Sequence, residues 1–145
     1  MSDTILLIED SADDVLFLLR AFKKADIKNP IQVAKDGQEA LDYLGRVGQY
    51  QDGQKFPLPC LVLLDLKLPH VLGLDVLKWM RMQPQLQTLP VCILTSSSQT
   101  VDLDRAYRLG ANSYLVKPSS PDQLYALVRC LGDYWLKYNL LPTVG

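Results

Sequence analysis

Four short apolar runs in the sequence end at residues that could take part in metal or phosphoryl chemistry. The first run ends at Glu9-Asp10, and later runs end at Asp65, Thr95 and Lys117. Residue propensity alone would not place a charge directly after an apolar run. Together these positions supply three carboxylates, one hydroxyl and one ammonium. Such a set suits phosphoryl transfer, because cations neutralise the phosphoryl oxygens, a hydroxyl donates a hydrogen bond and a carboxylate can act as nucleophile.

Three carboxylates gathered at one place would repel one another unless a cation lay among them. Mg²⁺ prefers hard oxygen ligands and is commonly held by one or two carboxylates together with a phosphate. The loop spacing typical of calcium is absent, and no cluster of His and Cys suits zinc. The single histidine, His70, is expected to be a solvated loop residue. The sequence therefore predicts Mg²⁺ as the cofactor.

The elements that position these residues alternate between strand and helix. Short apolar runs predict strands, and apolar residues at helical spacing predict a helix after each strand. Ser11 is expected to cap the first helix, Gly110 to follow the end of the fourth and Pro121 to open the fifth. The predicted strands are 4–8, 31–34, 60–64, 91–94 and 112–116, and the later helices are 38–44, 74–82, 99–109 and 121–138. In the first helix the predicted core stripe is Val15, Leu18, Leu19 and Phe22.

Strict alternation of strand and helix predicts a parallel sheet, because each crossover must carry a helix over the sheet. Right-handed crossovers then place helices on both faces. The 145 residues suffice for one such domain, and the pattern uses all of them, so we expect a single domain over 1–145 with no output domain. In an open parallel sheet the carboxyl ends of the strands share one edge, where ligands bind. The polar residues described above should therefore meet there.

Composition excludes several classes of protein. Fifteen Lys and Arg against sixteen Asp and Glu give a net charge of -1, which argues against a nucleic-acid binder. No apolar run approaches the about 20 residues needed to cross a bilayer, and no signal peptide opens the chain. The cysteines, Cys60, Cys92 and Cys130, are too few and too scattered for a disulfide framework. We expect them to be small buried hydrophobes in a cytoplasmic protein.

The motifs, in their order along the chain, resemble the receiver domain of two-component response regulators. They are Glu9-Asp10, residues 63–69 (LLDLKLP), Gly73, Thr95-Ser96 and Lys117-Pro118. The resemblance covers essentially the whole chain. It implies a flavodoxin-like (βα)5 fold with strand order 2-1-3-4-5. It also implies a stand-alone signalling protein that accepts a phosphoryl group from a sensor histidine kinase, rather than an enzyme that turns over a metabolite.

The resemblance further implies a role for each candidate residue. Asp65 would be the phosphoacceptor, and phosphorylation would alter the surface of the fourth helix, fifth strand and fifth helix. The implied magnesium ligands are Glu9, Asp10, Asp65 and the backbone carbonyl of Lys67. The other implied roles are Thr95 as switch hydroxyl, Lys117 as phosphate partner, Tyr114 as rotating switch aromatic, and a cis peptide bond between Lys117 and Pro118.

A narrower resemblance points to the single-domain regulators paired with cyanobacterial and other bacterial phytochromes. It rests on Tyr134-Trp135-Leu136, Leu141-Pro142 and the loop containing Gly48-Gln49-Tyr50, and it implies a phytochrome-type kinase as partner. The sequence departs from that subgroup at Lys67, where Asn is common, and at the His70-Val71-Leu72 turn. Because Lys67 would bind metal through its backbone, we expect metal binding to survive and the side chain to alter the lifetime of the acyl phosphate.

The last helix carries apolar residues on more than one face. One stripe is expected to face the sheet, while Tyr125 and Leu136 project away from it and Leu140-Leu141 lie beyond the helix. Apolar groups outside the core often mark an association surface. We therefore predict a homodimer that uses this helix and the tail at about 136–145, and the alternative is a tail folded back on its own domain. The stripe consists of Leu124, Leu127, Val128, Leu131 and Trp135.

Three alternative functions place different requirements on the residues at the strand ends. A phosphatase with an aspartate nucleophile needs a second acid two residues further on, where this chain has Lys67. A flavodoxin-like electron carrier would bind the phosphate of FMN after the first strand, where Glu9-Asp10 would repel it. A receiver-like interaction module that is never phosphorylated remains the alternative.

Overall fold

A computed structural model describes residues 2–144, and its five parallel strands form one sheet in the order β2-β1-β3-β4-β5. Met1 and Gly145, at the ends of the predicted domain and tail, lie outside the described residues. The strands are β1 (Ile5–Ile8), β2 (Ile31–Ala34), β3 (Leu61–Leu64), β4 (Val91–Thr95) and β5 (Ser113–Val116). The helices are α1 (Ala12–Lys24), α2 (Gly37–Leu44), α3 (Gly73–Met82), α4 (Thr100–Arg108) and α5 (Pro121–Gly132). The predicted flavodoxin-like fold and strand order are confirmed.

Helices cover both faces of the sheet, so the core has two layers. Leu6 and Ile8 of β1 face α2, α3 and α4, whereas Ile5 and Leu7 face α1 and α5. All four residues of β1 are buried, as are all four of β3. A parallel sheet covered on both faces requires such continuous apolar strands, because neither face meets water.

The helix boundaries follow the predicted caps. Ser11 Oγ accepts a hydrogen bond from the Asp14 N–H at 3.2 Å, and Gly110 beyond α4 adopts a positive φ of 104°. Pro121 opens α5, where the preceding Ser120 is the N-cap. The predicted stripe of α1 is wrong at Leu19, which is 36% exposed, while Ala21 is buried. Ala21 lies three residues after Leu18 and so shares its face of the helix, whereas Leu19 is turned away from it.

The last predicted helix changes geometry after Gly132. Residues Asp133–Tyr138 form a π-helical segment, which the prediction of one α-helix to residue 138 missed. Gly132 lies against the α1–β2 connection, where an added Cβ would stand 2.5 Å from Ile27 Cδ1. A π-helix bonds residue i to i+5, so the residues beyond it are rotated relative to an α-helix. Leu136, expected to project away from the core, instead packs against it.

The long connection between α2 and β3 is ordered by aromatic packing. Its 3₁₀ turn, Gly48–Gln51, buries Tyr50 against Phe56 and Tyr43, with ring centroids 4.9 and 5.1 Å away. The Tyr43 hydroxyl donates to the Pro57 carbonyl at 2.7 Å. The sequence predicted only a loop here, because Tyr50 and Phe56 follow no strand or helix period. A second 3₁₀ turn, Pro84–Leu86, follows α3.

Two further predictions concern membrane spans and cysteines. No helix in residues 2–144 combines the length and apolar character that a bilayer span requires. Cys60 and Cys92 are buried as predicted, and neither has a disulfide partner. The prediction is wrong for Cys130, which lies on the solvent side of α5 and is exposed.

Candidate functional site

An acidic cluster lies at the carboxyl edge of the sheet, where β1 and β3 end. These strands are neighbours in register, with Ile8 opposite Leu64, so the residues that follow them emerge side by side. One carboxylate oxygen from each of Glu9, Asp10 and Asp65 lies within 4.8 Å of the others. The structure thus brings together the three carboxylates that the sequence placed after these strands.

The three carboxylates differ in their access to water. Glu9 is 1% exposed and Asp65 7%, whereas Asp10 is exposed at the mouth of the cluster. Backbone donors orient the two buried groups. The Ser11 N–H donates to Glu9 Oε2 at 3.2 Å, and the Lys67 N–H donates to Asp65 Oδ1 at 3.3 Å. The side chain of Lys67 itself points to solvent.

Lys117, at the end of β5, supplies the positive charge of the cluster. Its Nζ donates to Glu9 Oε1, to Asp65 Oδ2 at 3.0 Å and to Asp14 Oδ2 at 2.9 Å. Burial alone would lower the pKa of Lys117, but the hydrogen bonds and charges of these acids raise it above its usual range. Lys117 is therefore a permanent cation in this position.

The pKa values of the two buried acids, Glu9 and Asp65, are shifted in opposite directions. Burial raises the pKa of Glu9 to about 7, although Lys117 opposes the rise. Burial acts in the same direction on Asp65, but the hydrogen bond and charge of Lys117 outweigh it and hold its pKa below the usual value. The Thr95 hydroxyl adds to this lowering. Asp65 is consequently the buried carboxylate that stays ionised at neutral pH, as a nucleophile must.

Thr95 and Tyr114 are joined through the loop between β4 and α4. Thr95, the last residue of β4, is fully buried, and its Oγ1 lies 3.5 Å from the Ser97 backbone nitrogen. The half-buried Tyr114 of β5 donates its hydroxyl to the Ser97 carbonyl at 2.9 Å. The predicted switch pair therefore meets at Ser97, the second of the three serines that follow β4.

The predicted cis peptide bond between Lys117 and Pro118 is not present. All peptide bonds within residues 2–144 are trans. The trans isomer is favoured at X–Pro bonds by about 0.5–1 kcal/mol. With this bond trans, Lys117 already reaches all three of its carboxylate partners, so the contacts of the cluster do not require the cis form.

Asp14 and Ser97 belong to the site but were not singled out from the sequence. Asp14, in the first turn of α1, accepts a hydrogen bond from the Lys117 ammonium. The available signal was its place four residues after Asp10, at the helix start that faces the same sheet edge. Ser97 carried no signal, because nothing in three consecutive serines indicates which one is buried.

His70 is exposed with a φ of 67°, which agrees with its prediction as a solvated loop residue.

The donor set of the cluster fits a hard divalent cation. Two buried carboxylates and one exposed carboxylate offer oxygen ligands, and the exposed side leaves room for the waters that Mg²⁺ retains. His and Cys are absent from this cluster, which argues against a site built for zinc.

Comparison with known proteins agrees with this geometry. The family model described as "Response regulator receiver domain" matches residues 5–129. The chain is 40% identical over 138 residues to the probable methanogenesis regulatory protein FilR2 of Methanothrix harundinacea. This alignment covers 95% of this chain and 86% of that protein. It is 34% identical over 139 residues to the response regulator Rcp1 of Synechocystis. This alignment covers 96% of this chain and 92% of that protein.

Solved structures give the same result. The Mn²⁺-bound form of Rcp1 has a TM-score of 0.88 at 33% identity, over 97% of this chain and 99% of that one. The phosphorylated cyanobacterial phytochrome response regulator RcpA has a TM-score of 0.91 at 31% identity, over 99% of this chain and 100% of that one. Sequence, fold and acidic cluster agree, and the chain belongs to the response regulator receiver domain family.

Proposed function

We propose that this protein is a phosphorylation-controlled signalling switch in which Asp65 accepts a phosphoryl group from a sensor histidine kinase. The observation that carries the proposal is the contact between Asp65 and Lys117 within the acidic cluster. This contact keeps a nearly buried carboxylate ionised and places a cation beside it.

In the transfer step, an Asp65 carboxylate oxygen attacks the phosphorus of a phosphohistidine. A new O–P bond forms and the P–N bond breaks, and the imidazole leaves with the electron pair and takes up a proton from water. Lys117 Nζ, at 3.0 Å from Asp65 Oδ2, stabilises the negative charge on the phosphoryl oxygens. Mg²⁺, held by Glu9, Asp10, Asp65 and the Lys67 backbone carbonyl, would neutralise further charge on those oxygens.

The product is an altered protein surface rather than a released metabolite. A phosphoryl group adds about -1.5 to -2 of charge at neutral pH. That charge attracts Lys117 and the Thr95 hydroxyl, and Thr95 adjoins the loop that contacts Tyr114 and α4. We propose that phosphorylation shifts an existing equilibrium of the α4, β5 and α5 face, with Tyr114 as its switch aromatic.

The first prediction is that acetyl phosphate with Mg²⁺ adds one phosphoryl group to the wild-type protein and none to Asp65→Asn. The substitution keeps the shape of the side chain but removes the nucleophilic charge. Intact-mass measurement gives the stoichiometry, and EDTA should abolish the modification. Asp75→Asn, which removes an exposed carboxylate from α3, is the matched control and should be modified normally. Equal modification of Asp65→Asn would place the phosphoryl group on another residue and contradict the proposal. No modification of the wild type would favour the unphosphorylated interaction module.

For the partner, we propose a phytochrome-type histidine kinase. Support comes from RcpA, whose structure is described as that of a cyanobacterial phytochrome response regulator. FilR2, which is also similar to this chain, is described as a probable methanogenesis regulatory protein. The proteins similar to this chain are therefore described with different signals, and the partner has to be tested directly. A phosphotransfer profile against the histidine kinases of the host decides the matter. Preferential transfer from a kinase with another type of sensor would contradict the proposal.

We also propose that the protein forms a homodimer through the last helix and tail. Leu136 and Leu141 are covered by their own core, which leaves Tyr134, Tyr138 and Leu140 as the exposed apolar groups of this region. Tyr138 is 80% exposed and Leu140 92%, and a second copy would cover them.

We propose a cytoplasmic location for the protein, since buried unpaired cysteines suit a reducing compartment.

A further inference from the structure

Ser97 makes contacts that its two serine neighbours do not. Ser96 and Ser98 are exposed, while Ser97 is 7% exposed. Its hydroxyl donates to Asp102 Oδ2 at 2.5 Å and accepts from the Gln99 N–H at 3.3 Å. Its backbone, as described above, contacts Thr95 and Tyr114. One residue thus joins the end of β4, the start of α4 and the middle of β5.

The hydroxyl of Ser97 fixes the beginning of α4. Gln99, the N-cap residue, makes no side-chain capping bond to the helix. The first N–H groups of a helix lack partners within it, and a side-chain oxygen commonly supplies one. Here Ser97 binds both the Gln99 N–H and the carboxylate of Asp102 in the first turn of α4. The start of α4 is therefore attached to the loop through a side chain outside the helix.

The other end of α4 is fixed separately. Arg81 of α3 donates through Nε and Nη2 to the Gly110 carbonyl, at 3.0 and 2.9 Å. Between its two ends α4 buries only Ala106, and its Val101 and Tyr107 are exposed. A helix with so little buried surface has its position set by its end contacts, because burial contributes little to holding it. Of the two ends, only the start is joined to the loop that follows Thr95.

We infer that the hydrogen bond between Ser97 and Asp102 is a positioning link that carries the displacement of Thr95 to α4. This inference rests on the proposed function, since phosphorylation of Asp65 supplies the displacement. When Thr95 moves toward the phosphoryl group, the backbone of Ser97 moves with it. The Ser97 hydroxyl then draws Asp102 and the first turn of α4, while Arg81 holds the other end, so the helix pivots.

A cap that merely stabilises α4 would behave differently from a link. Loss of such a cap would loosen α4 equally in the free and phosphorylated forms, so the difference between the forms would persist. Loss of a link removes that difference while leaving ligand binding at Asp65 intact. The informative measurement is therefore the change in α4 on activation, not its stability in either form.

The test is hydrogen exchange of the 100–108 segment with and without beryllofluoride and Mg²⁺, which together imitate the aspartyl phosphate. In the wild type the exchange rates of α4 should change on binding. In Ser97→Ala we expect this change to fall at least fivefold, with beryllofluoride still bound as seen by ¹⁹F NMR. Ser97→Thr, which keeps the hydroxyl, should restore the response. Ser96→Ala and Ser98→Ala are the matched controls and should respond as the wild type does.

Each result has a defined meaning. Should the wild type fail to bind beryllofluoride, the proposed function is overturned. If it binds and α4 responds equally in Ser97→Ala and Ser98→Ala, only the link is overturned. Asp102→Ala tests the link from the half-buried acceptor side, and a full α4 response in that variant also overturns it. Should Ser97→Ala not fold, Asp102→Ala alone decides. The double variant should lose no more of the response than Ser97→Ala does, because both single variants remove the same Ser97–Asp102 hydrogen bond.

Discussion

At the scale of single residues, one ammonium group serves three acids. Lys117 contacts Glu9, Asp14 and Asp65, so its single positive charge faces more negative charge than it can cancel. The site therefore retains an attraction for further cations even with Lys117 in place. This imbalance is what a magnesium-dependent phosphoacceptor needs, because the added cation then favours the arrival of a phosphoryl group.

We predict that Lys117→Met lowers the free energy of unfolding in EDTA by at least about 2 kcal/mol, since removal of one partner leaves buried charges uncompensated. Mg²⁺ should recover more stability in this variant than in the wild type, because the freed carboxylates bind the metal without competition from the ammonium. Urea unfolding with EDTA and with MgCl2 measures both effects.

Lys137→Met is the control for the Lys117 experiment. It removes an exposed pair with Asp133 and should change stability by less than about 1 kcal/mol. A Lys117→Met protein whose gain from Mg²⁺ equals that of the wild type would contradict competition between the ammonium and the metal.

The sequence anticipated those site residues that directly follow strands. Glu9, Asp10 and Asp65 were found because parallel topology alone brings strand ends to one edge. Asp14 and Ser97 were missed because their roles depend on how a helix or loop packs over that edge. Such packing is set by contacts distant in sequence, which neither period nor spacing records.

At the scale of elements, the connection between β3 and α3 is packed backbone against backbone. A Cβ on Gly73 would stand 2.2 Å from the Asp65 carbonyl oxygen and 2.7 Å from the Leu66 Cα. The Gly73 N–H also donates to the Leu66 carbonyl at 3.0 Å. Gly73 thus allows the start of α3 to lie directly against the turn that carries Asp65, a role that its place in the motif does not reveal.

We predict that Gly73→Ala lowers the free energy of unfolding by about 1–3 kcal/mol, as overpacking does, because backbone atoms cannot yield as side chains can. The shift should also displace Asp65 and slow phosphorylation by acetyl phosphate. Gly53→Ala is the matched control, since its added Cβ meets only Arg46 Nη1, at the end of a flexible side chain. A Gly73→Ala protein with wild-type stability and phosphorylation rate would refute this role.

Element positions were predictable where the hydrophobic period was regular. The strands and the helices α2 to α4 begin and end within about two residues of the expected positions, because buried strands and amphipathic helices leave distinct patterns. The π-helical segment was not predictable, since its residues also fit a continued α-helix. The residue before this segment, Gly132, lies against Ile27, which is a contact distant in sequence.

At the scale of the whole molecule, the acidic edge and the predicted dimer surface lie in different places. The carboxylates follow β1 and β3 near the middle of the sheet, whereas the exposed groups of the tail follow α5. Part of the tail returns to the domain, where Leu141 and Val144 contact the core. The two alternatives predicted from the sequence, a dimer surface and a folded-back tail, thus apply to different residues of one segment.

We predict that the protein sediments as a dimer at micromolar concentration and that Tyr138→Ser with Leu140→Ser shifts it to monomer. The two side chains are 80% and 92% exposed, so their removal costs the isolated fold little while removing apolar area from the proposed interface. Val101→Ser with Tyr107→Ser, which removes exposed apolar groups from α4 instead, should leave the dimer intact. Sedimentation velocity with and without beryllofluoride measures each species. A wild-type monomer under both conditions would assign these groups to solvent or to another partner.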